Sequence, residues 1–305
     1  MPISRRKFNS ATLGAGAAWA LGGPALAADT GPMRRAIPST GEEIPIIGVG
    51  TNRYGVGNDA ELRAPLRDAL QKFHVLGGTV IDTAPAYRSS EAVLGELIEE
   101  LGIRAALFLA TKVDREGTDA GRARMERSLQ RLQSERMELM QSHNLIGWQN
   151  TIPLMKSWQE QGRIRYVGIT SSRENQYELM EKIMRRHTLD FIQINYSLAN
   201  QRSSALRLLP LAADRGMAVL VNRPFGGGGA FRVLPQTALP AWADEFEVTS
   251  WAQFLLKYAL SHPAVTAAIP GMTKARHVSD NMRAAHGSMP DAAHRRKMEA
   301  FFDAL

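Results

Sequence analysis

The sequence contains no cysteine. That excludes thiolate catalysis and cysteine-ligated metals, and it suits an oxidising compartment, where stray thiols are a liability. There is no run of 18 apolar residues free of charge, so an ordinary membrane span is excluded. No H-x-H or H-E-x-x-H pattern occurs, which leaves a metal-dependent hydrolase without a ligand set. A basic stripe is missing too. Net charge is +7 and pI about 9.8, but the cations are mixed with acids, as in RARMERSLQRLQSERMELM. That stretch reads as a solvated helix face, not a nucleic-acid surface. The 305 residues, 44% hydrophobic and 22% charged, suffice for one large globular domain or two small ones.

Residues 1–27 stand apart. MPISRRKFNSATLGAGAAWALGGPALA starts basic, with Arg5, Arg6 and Lys7. It continues through a weakly apolar Ala/Gly stretch and closes on the small residues ALA. This is the layout of an export signal. SRRKF is similar to the twin-arginine signal, an address read by a receptor and not an anchor. We expect cleavage after Ala27, a single domain over 28–305, export in the folded state by the twin-arginine machinery, and residence in the periplasm.

Next, MRRAIPSTGEEIPIIGVGT predicts a short hairpin turning at STG. Eight apolar, β-rich runs are then spaced along the chain: IIGVG, TVIDTA, LFLATKV, MELMQSH, YVGIT, FIQINY, AVLVNRP and TAAIPG. Such runs fit strands buried on both faces of a parallel sheet. Helix-period stretches lie between them. One of these, SSEAVLGELIEELG, has Ser89 and Ser90 placed to cap its start and Gly102 placed to end it. Strand–helix alternation implies α/β with right-handed crossovers. Eight units in roughly 270 residues match a (β/α)8 TIM barrel preceded by a short N-terminal hairpin. A doubly wound sheet is the alternative, but GVGTNRYGVG does not match the glycine-rich turn expected after its first strand.

The barrel gives meaning to three strand ends. Asp82, Lys112 and His143 end the second, third and fourth strands, one βα unit apart. They therefore share the C-terminal rim, where barrels place chemistry. Neighbouring strands lie about 4.8 Å apart, so the side chains converge, and Tyr87 in the loop after Asp82 leans over them. A phenol ordinarily titrates near 10. An adjacent Lys112 ammonium favours the phenolate and should lower that value. Asp82 would hold and charge Lys112, and a neutral His143 would orient a carbonyl oxygen. This set suits protonation of an oxygen that gains negative charge, as in carbonyl reduction by hydride transfer. The hydride has to come from a cofactor.

GVGT, DTAPAY, ATK, QSHN, GITSS, QINYS and IPGMTKARHVSDN, in order over nearly the whole chain after residue 27, resemble the aldo-keto reductase family. The resemblance implies an NADP(H)-dependent oxidoreductase interconverting carbonyls and alcohols. It implies Tyr87 as general acid/base, Lys112 and Asp82 as its tuning pair, and His143 as orienter. For the nucleotide it implies Gly50 and Thr51 in the first motif, with Thr170, Ser171 and Gln193 on the nicotinamide carboxamide. It implies Asn222 and Arg223 beside the ring, and Gly226 in the glycine run over the pyrophosphate. Gly271, Thr273, Lys274, Arg276 and Asn281 would take the adenosine phosphate and adenine. Asn52 and Arg53 stand where many relatives carry an aromatic, which leaves room for a polar or anionic substrate. A cofactor-binding barrel serving as a sensor or partner subunit with little turnover is the other reading.

Overall fold

The structure is a computed structural model, and it describes residues 31–305 except 201, 233, 235 and 236. The expected export signal lies outside the described residues. The hairpin consists of β1 (Arg34–Ala36) and β2 (Glu43–Pro45), antiparallel with Arg35 opposite Ile44. Its turn closes through Gly41 N to Ile37 O at 2.8 Å. Gly41 sits at φ +78°, a region that costs glycine little.

Eight strands follow, all parallel and paired in chain order. They are β3 (Val49–Gly50), β4 (Val80–Asp82), β5 (Phe108–Val113), β6 (Met137–His143), β7 (Ile164–Ser171), β8 (Phe191–Asn195), β9 (Ala218–Asn222) and β10 (Ala267–Ala268). The two outermost strands meet through bridges Ile47–Ala268 and Gly50–Gly271, which close the sheet into a barrel. Gly50 is required at that seam, because a Cβ there would stand 2.7 Å from Ile269 O.

Helices α1 (Ala60–Val75), α2 (Ser90–Leu101), α3 (Thr118–Arg131), α4 (Trp148–Glu160), α5 (Tyr177–Arg186), α6 (Ser203–Asp214), α7 (Trp251–Leu260) and α8 (Ala275–Arg283) surround the barrel, and α9 (Ala292–Asp303) ends the chain. Strand residues alternate, as a two-residue period demands. Ile81, Leu109, Met140, Val167 and Ile192 pack outward in the sheet–helix core. Val80, Phe108, Ala110, Leu139, Tyr166, Phe191 and Leu220 point inward and fill the barrel. Ile37 and Ile44 of the hairpin belong to that inner cluster, so the hairpin plugs the N-terminal end.

The sequence reading of the helix caps needs correction. Ser89 makes no cap hydrogen bond; its Oγ accepts from Gly57 N at 2.9 Å. Ser90 Oγ donates to Thr51 O at 3.0 Å. Both hydroxyls tie α2 to the first βα loop, and the helix ends in left-handed Gly102 as expected.

Candidate active site

The inward period carries straight up to the rim. Val80 faces inward, so Asp82 does; Phe108 and Ala110 do the same for Lys112, and Leu139 for His143. Asp82 and Lys112 are almost fully buried, at 2% and 1% exposure. Their ion pair is 2.7 Å long, and Lys112 Nζ also donates to Thr83 O at 2.6 Å. Gln141 Nε2 donates to Asp82 Oδ1 and Gln193 Nε2 to Oδ2, each at 3.3 Å. The carboxylate is thus gripped from β5, β6 and β8 at once.

Tyr87 is placed by two consecutive turns, with Tyr87 N on Ala84 O and Ser90 N on Tyr87 O, each 3.0 Å. Arg88 between them takes φ +55°. The result hangs the Tyr87 ring over the pair, with Lys112 Nζ 5.4 Å from its centroid. The His143 ring meets it edge-on at 6.1 Å. All four expected catalytic side chains therefore converge on one rim.

Their charge states follow. Lys112 exerts the largest pull on Tyr87 and favours the phenolate. Burial and the Asp82 carboxylate oppose it and together prevail, so Tyr87 lies above the ordinary phenol value. This corrects the expectation of a lowered value: the carboxylate that holds Lys112 also cancels much of its field. Burial disfavours the Lys112 ammonium, but Asp82 and Tyr87 outweigh burial and leave it above the usual lysine value. His143 is pushed down to about 3, first by burial, then by Lys112. The resting site thus holds a phenol, an ammonium and a neutral imidazole.

A cavity of about 780 Å³ opens above this floor. Tyr87, His143 and Asn144 line it together with Asn222, Arg223, Gly227 and Gly228 and with Thr273, Lys274 and His277. It continues into a recess of about 500 Å³ lined by Phe231, Trp251, Asp280 and Asn281. Together the two spaces have room and cations, Arg223 and Lys274, for a large anionic ligand. Gly226, Gly227 and Gly228 have φ of +61°, +70° and +88°; Gly226 N and Gly228 N close turns on Arg223 O and Phe225 O, which leaves the Gly227 N–H for an anion. Asn222 Oδ1 is buried with no partner, an acceptor left for a ligand to satisfy. The aldo/keto reductase family model matches residues 46–299.

The chain belongs to the aldo/keto reductase family.

Among the relatives, aldo-keto reductase YhdN of Bacillus subtilis is 32% identical over 205 residues, 61% of this chain and 60% of that protein. The chain thus matches less than two thirds of that relative's length. Methylglyoxal reductase YeaE of Escherichia coli is 29% identical over 247 residues, covering 78% of this chain and 84% of that protein. Among solved structures, an aldo/keto reductase from Klebsiella pneumoniae in complex with NADP and acetate has TM-score 0.73 and 26% identity. It covers 86% of this chain and 93% of that one.

In this aldo/keto reductase the expected nucleotide residues fall in different places. Gly50, Thr51, Asn222, Arg223, Gly271, Thr273 and Lys274 line the main cavity. Asn281 lines the adjoining recess, and Gly226 opens the glycine turn. Thr170 and Gln193 are buried at the level of the ion pair, at 2% exposure each, outside the cavity wall. Ser171 faces outward: its Oγ donates to Gln176 Oε1 at 2.6 Å and accepts from Arg173 N at 3.0 Å. Arg276 is exposed beside His277 Nε2 at 3.4 Å, and it is His277 that reaches the cavity. Phe225, Trp251, Arg88 and Gln141 were missed by sequence reasoning. Gln141 carried a signal, since it sits two residues before His143 and so faces inward. Trp251 opens a helix and carried none.

Proposed function

We propose that this aldo/keto reductase interconverts a carbonyl compound and its alcohol with NADP(H), using Tyr87 as general acid. The observation that carries the reading is the meeting of phenol, buried ammonium and neutral imidazole at the floor of a cavity that a glycine turn also lines. When bound, the nicotinamide supplies the hydride. The Tyr87 hydroxyl gives its proton to the carbonyl oxygen as charge builds there. Lys112, fixed by Asp82 and Thr83, stabilises the phenolate that remains. His143, uncharged, donates a ring N–H to the same oxygen and orients it; its protonated nitrogen is assigned from this role. Arg223 and the N–H group of Gly227 would hold the pyrophosphate, since Gly226 N and Gly228 N already donate to Arg223 O and Phe225 O, and Lys274 with His277 would meet a 2′-phosphate. The test is Tyr87→Phe. Carbonyl reduction should fall by about 10²–10⁴-fold while NADPH binding, followed by nucleotide fluorescence, stays intact. Undiminished reduction would remove Tyr87 from the role.

We also propose, on SRRKF alone, that the protein is exported folded with nucleotide inside. Nucleotide released on denaturing protein taken from the periplasm supports this. Empty periplasmic protein, or no export, refutes it.

A further inference from the structure

A second recess, of about 420 Å³, adjoins the main cavity beside Tyr87. Asn52, Arg53, Ala86, Tyr87 and Arg88 line it. Its two walls are built against each other. A Cβ on Gly55 would stand 2.4 Å from Tyr87 O and 2.9 Å from Arg88 Cβ, and Gly57 N donates to Ser89 Oγ at 2.9 Å. Asn52, Arg53, Ala86 and Tyr87 also line the main cavity, so the two spaces join along these residues. One branch carries the glycine turn and Lys274. The other is free for the second reactant.

The charges in that branch are uncompensated. Elsewhere, Arg63, Arg67, Arg124, Arg185 and Arg207 each hold an acid. Among the described residues, Arg53 and Arg88 have no carboxylate within ion-pair distance and no acceptor for their guanidinium groups. The recess itself has no acidic lining residue. The main cavity has one, Asp82, and that carboxylate is spent on Lys112. Both arginines are exposed, and two forked cations on the wall of a recess without a counter-charge form a site for an anion. Arg223 and Lys274 line the main cavity with the glycine turn, and Arg53 lines all three spaces, which leaves Arg88 in the second recess, with Arg53 where the spaces meet, for the other reactant.

We infer that the substrate is a carbonyl compound carrying an anionic group, carboxylate or phosphate, held by Arg53 and Arg88 while its carbonyl oxygen faces Tyr87. This rests on the carbonyl-reductase reading above. The reaction is the same in balance: hydride to the carbonyl carbon, proton from Tyr87 to its oxygen, and the anion unchanged. It makes the second recess a device for selecting substrates by charge.

The experiment uses matched pairs, 4-oxobutanoate against butanal and glyceraldehyde 3-phosphate against glyceraldehyde. kcat/KM with NADPH is compared within each pair, and calorimetric binding to the NADP-loaded protein supplies a readout without turnover. At least one pair should favour the anion by about tenfold or more, the scale of one charge-assisted contact. The pair that does so tells carboxylate from phosphate. Arg88→Met and Arg53→Met should each shrink that ratio to within about threefold. Equal binding and equal kcat/KM within both pairs would overturn the inference alone. So would a ratio left intact in R88M while NADPH affinity drops, which would give the arginine to the nucleotide. Anion binding that R88M abolishes, with neither pair reduced, would instead uphold the recess and sink the reductase reading.

Discussion

At the scale of single residues, the site is a contest between one cation and one anion over a phenol. Lys112 pulls Tyr87 toward ionisation, while burial and Asp82 hold it back. The phenol therefore keeps its proton through neutral pH, which suits a donor. The buried pair beneath it is strongly interdependent. Lys112→Met or Asp82→Asn alone strands a charge, and each should cost about 3–5 kcal/mol in urea unfolding. The double variant should cost clearly less than their sum. Strict additivity would show that the two charges do not depend on each other. His143 behaves differently. Its folded value of about 3 lies far below the unfolded value near 6.5, so between those limits the unfolded chain binds more protons. Stability from this group should then rise with pH across that window and be lost on acidification through it. In a titration followed by NMR, the His143 ring signals should stay flat from pH 5 to 8. A midpoint near 6.5 would refute the neutral imidazole. Asp82, Lys112 and His143 were legible because they lie at strand ends at one-unit spacing, and Tyr87 because it follows Asp82 in the loop above that rim. The sign of the shift on Tyr87 was not legible, since it depends on distances that no spacing reveals.

At the scale of elements, a strand tells its reader which side chains share a face, and a loop does not. FLATKV and MELMQSH place Lys112 and His143 inward by parity alone. The same parity, applied to YVGIT, would have turned Ser171 outward, where its hydroxyl meets Gln176. The caps of α2 were misread because Ser89 and Ser90 found tertiary partners in Gly57 and Thr51. Local propensity gives way when a long-range acceptor is available. The glycine turn was legible as composition but not as geometry. Gly227 sits at φ +70°, and a Cβ there would meet the Arg223 guanidinium at 2.5 Å. Gly227→Ala should therefore strain the turn by about 1–2 kcal/mol, and a turn that shifts to relieve the strain would displace Arg223 and weaken NADPH binding by up to roughly tenfold. Fluorescence titration measures this, and unchanged affinity would remove the turn from the nucleotide site.

At the scale of the molecule, the order of eight strands was readable because each parallel strand is apolar on both faces and each crossover needs a helix. The barrel's two ends have separate duties. Ile37 and Ile44 seal the bottom from within, opposite the rim that carries Tyr87. Ile44→Ala should cost about 2–5 kcal/mol in denaturant unfolding, with little change in kcat at temperatures where the protein stays folded. A loss of kcat without loss of stability would mean the two ends are coupled. The remaining consequence belongs to the seam between β3 and β10. Across it run Gly48 N to Ala268 O, Gly50 N to Pro270 O and Ala268 N to Ile46 O, at 2.9, 3.0 and 2.9 Å. A wall stitched by so few threads is where the staves part first. Thr51 on one stave and Lys274 beyond the other both touch the main cavity, so dinucleotide would act as a suture over the split. Deuterium uptake at Gly48, Gly50 and Ala268 should slow more on loading than at amides midway round the cylinder.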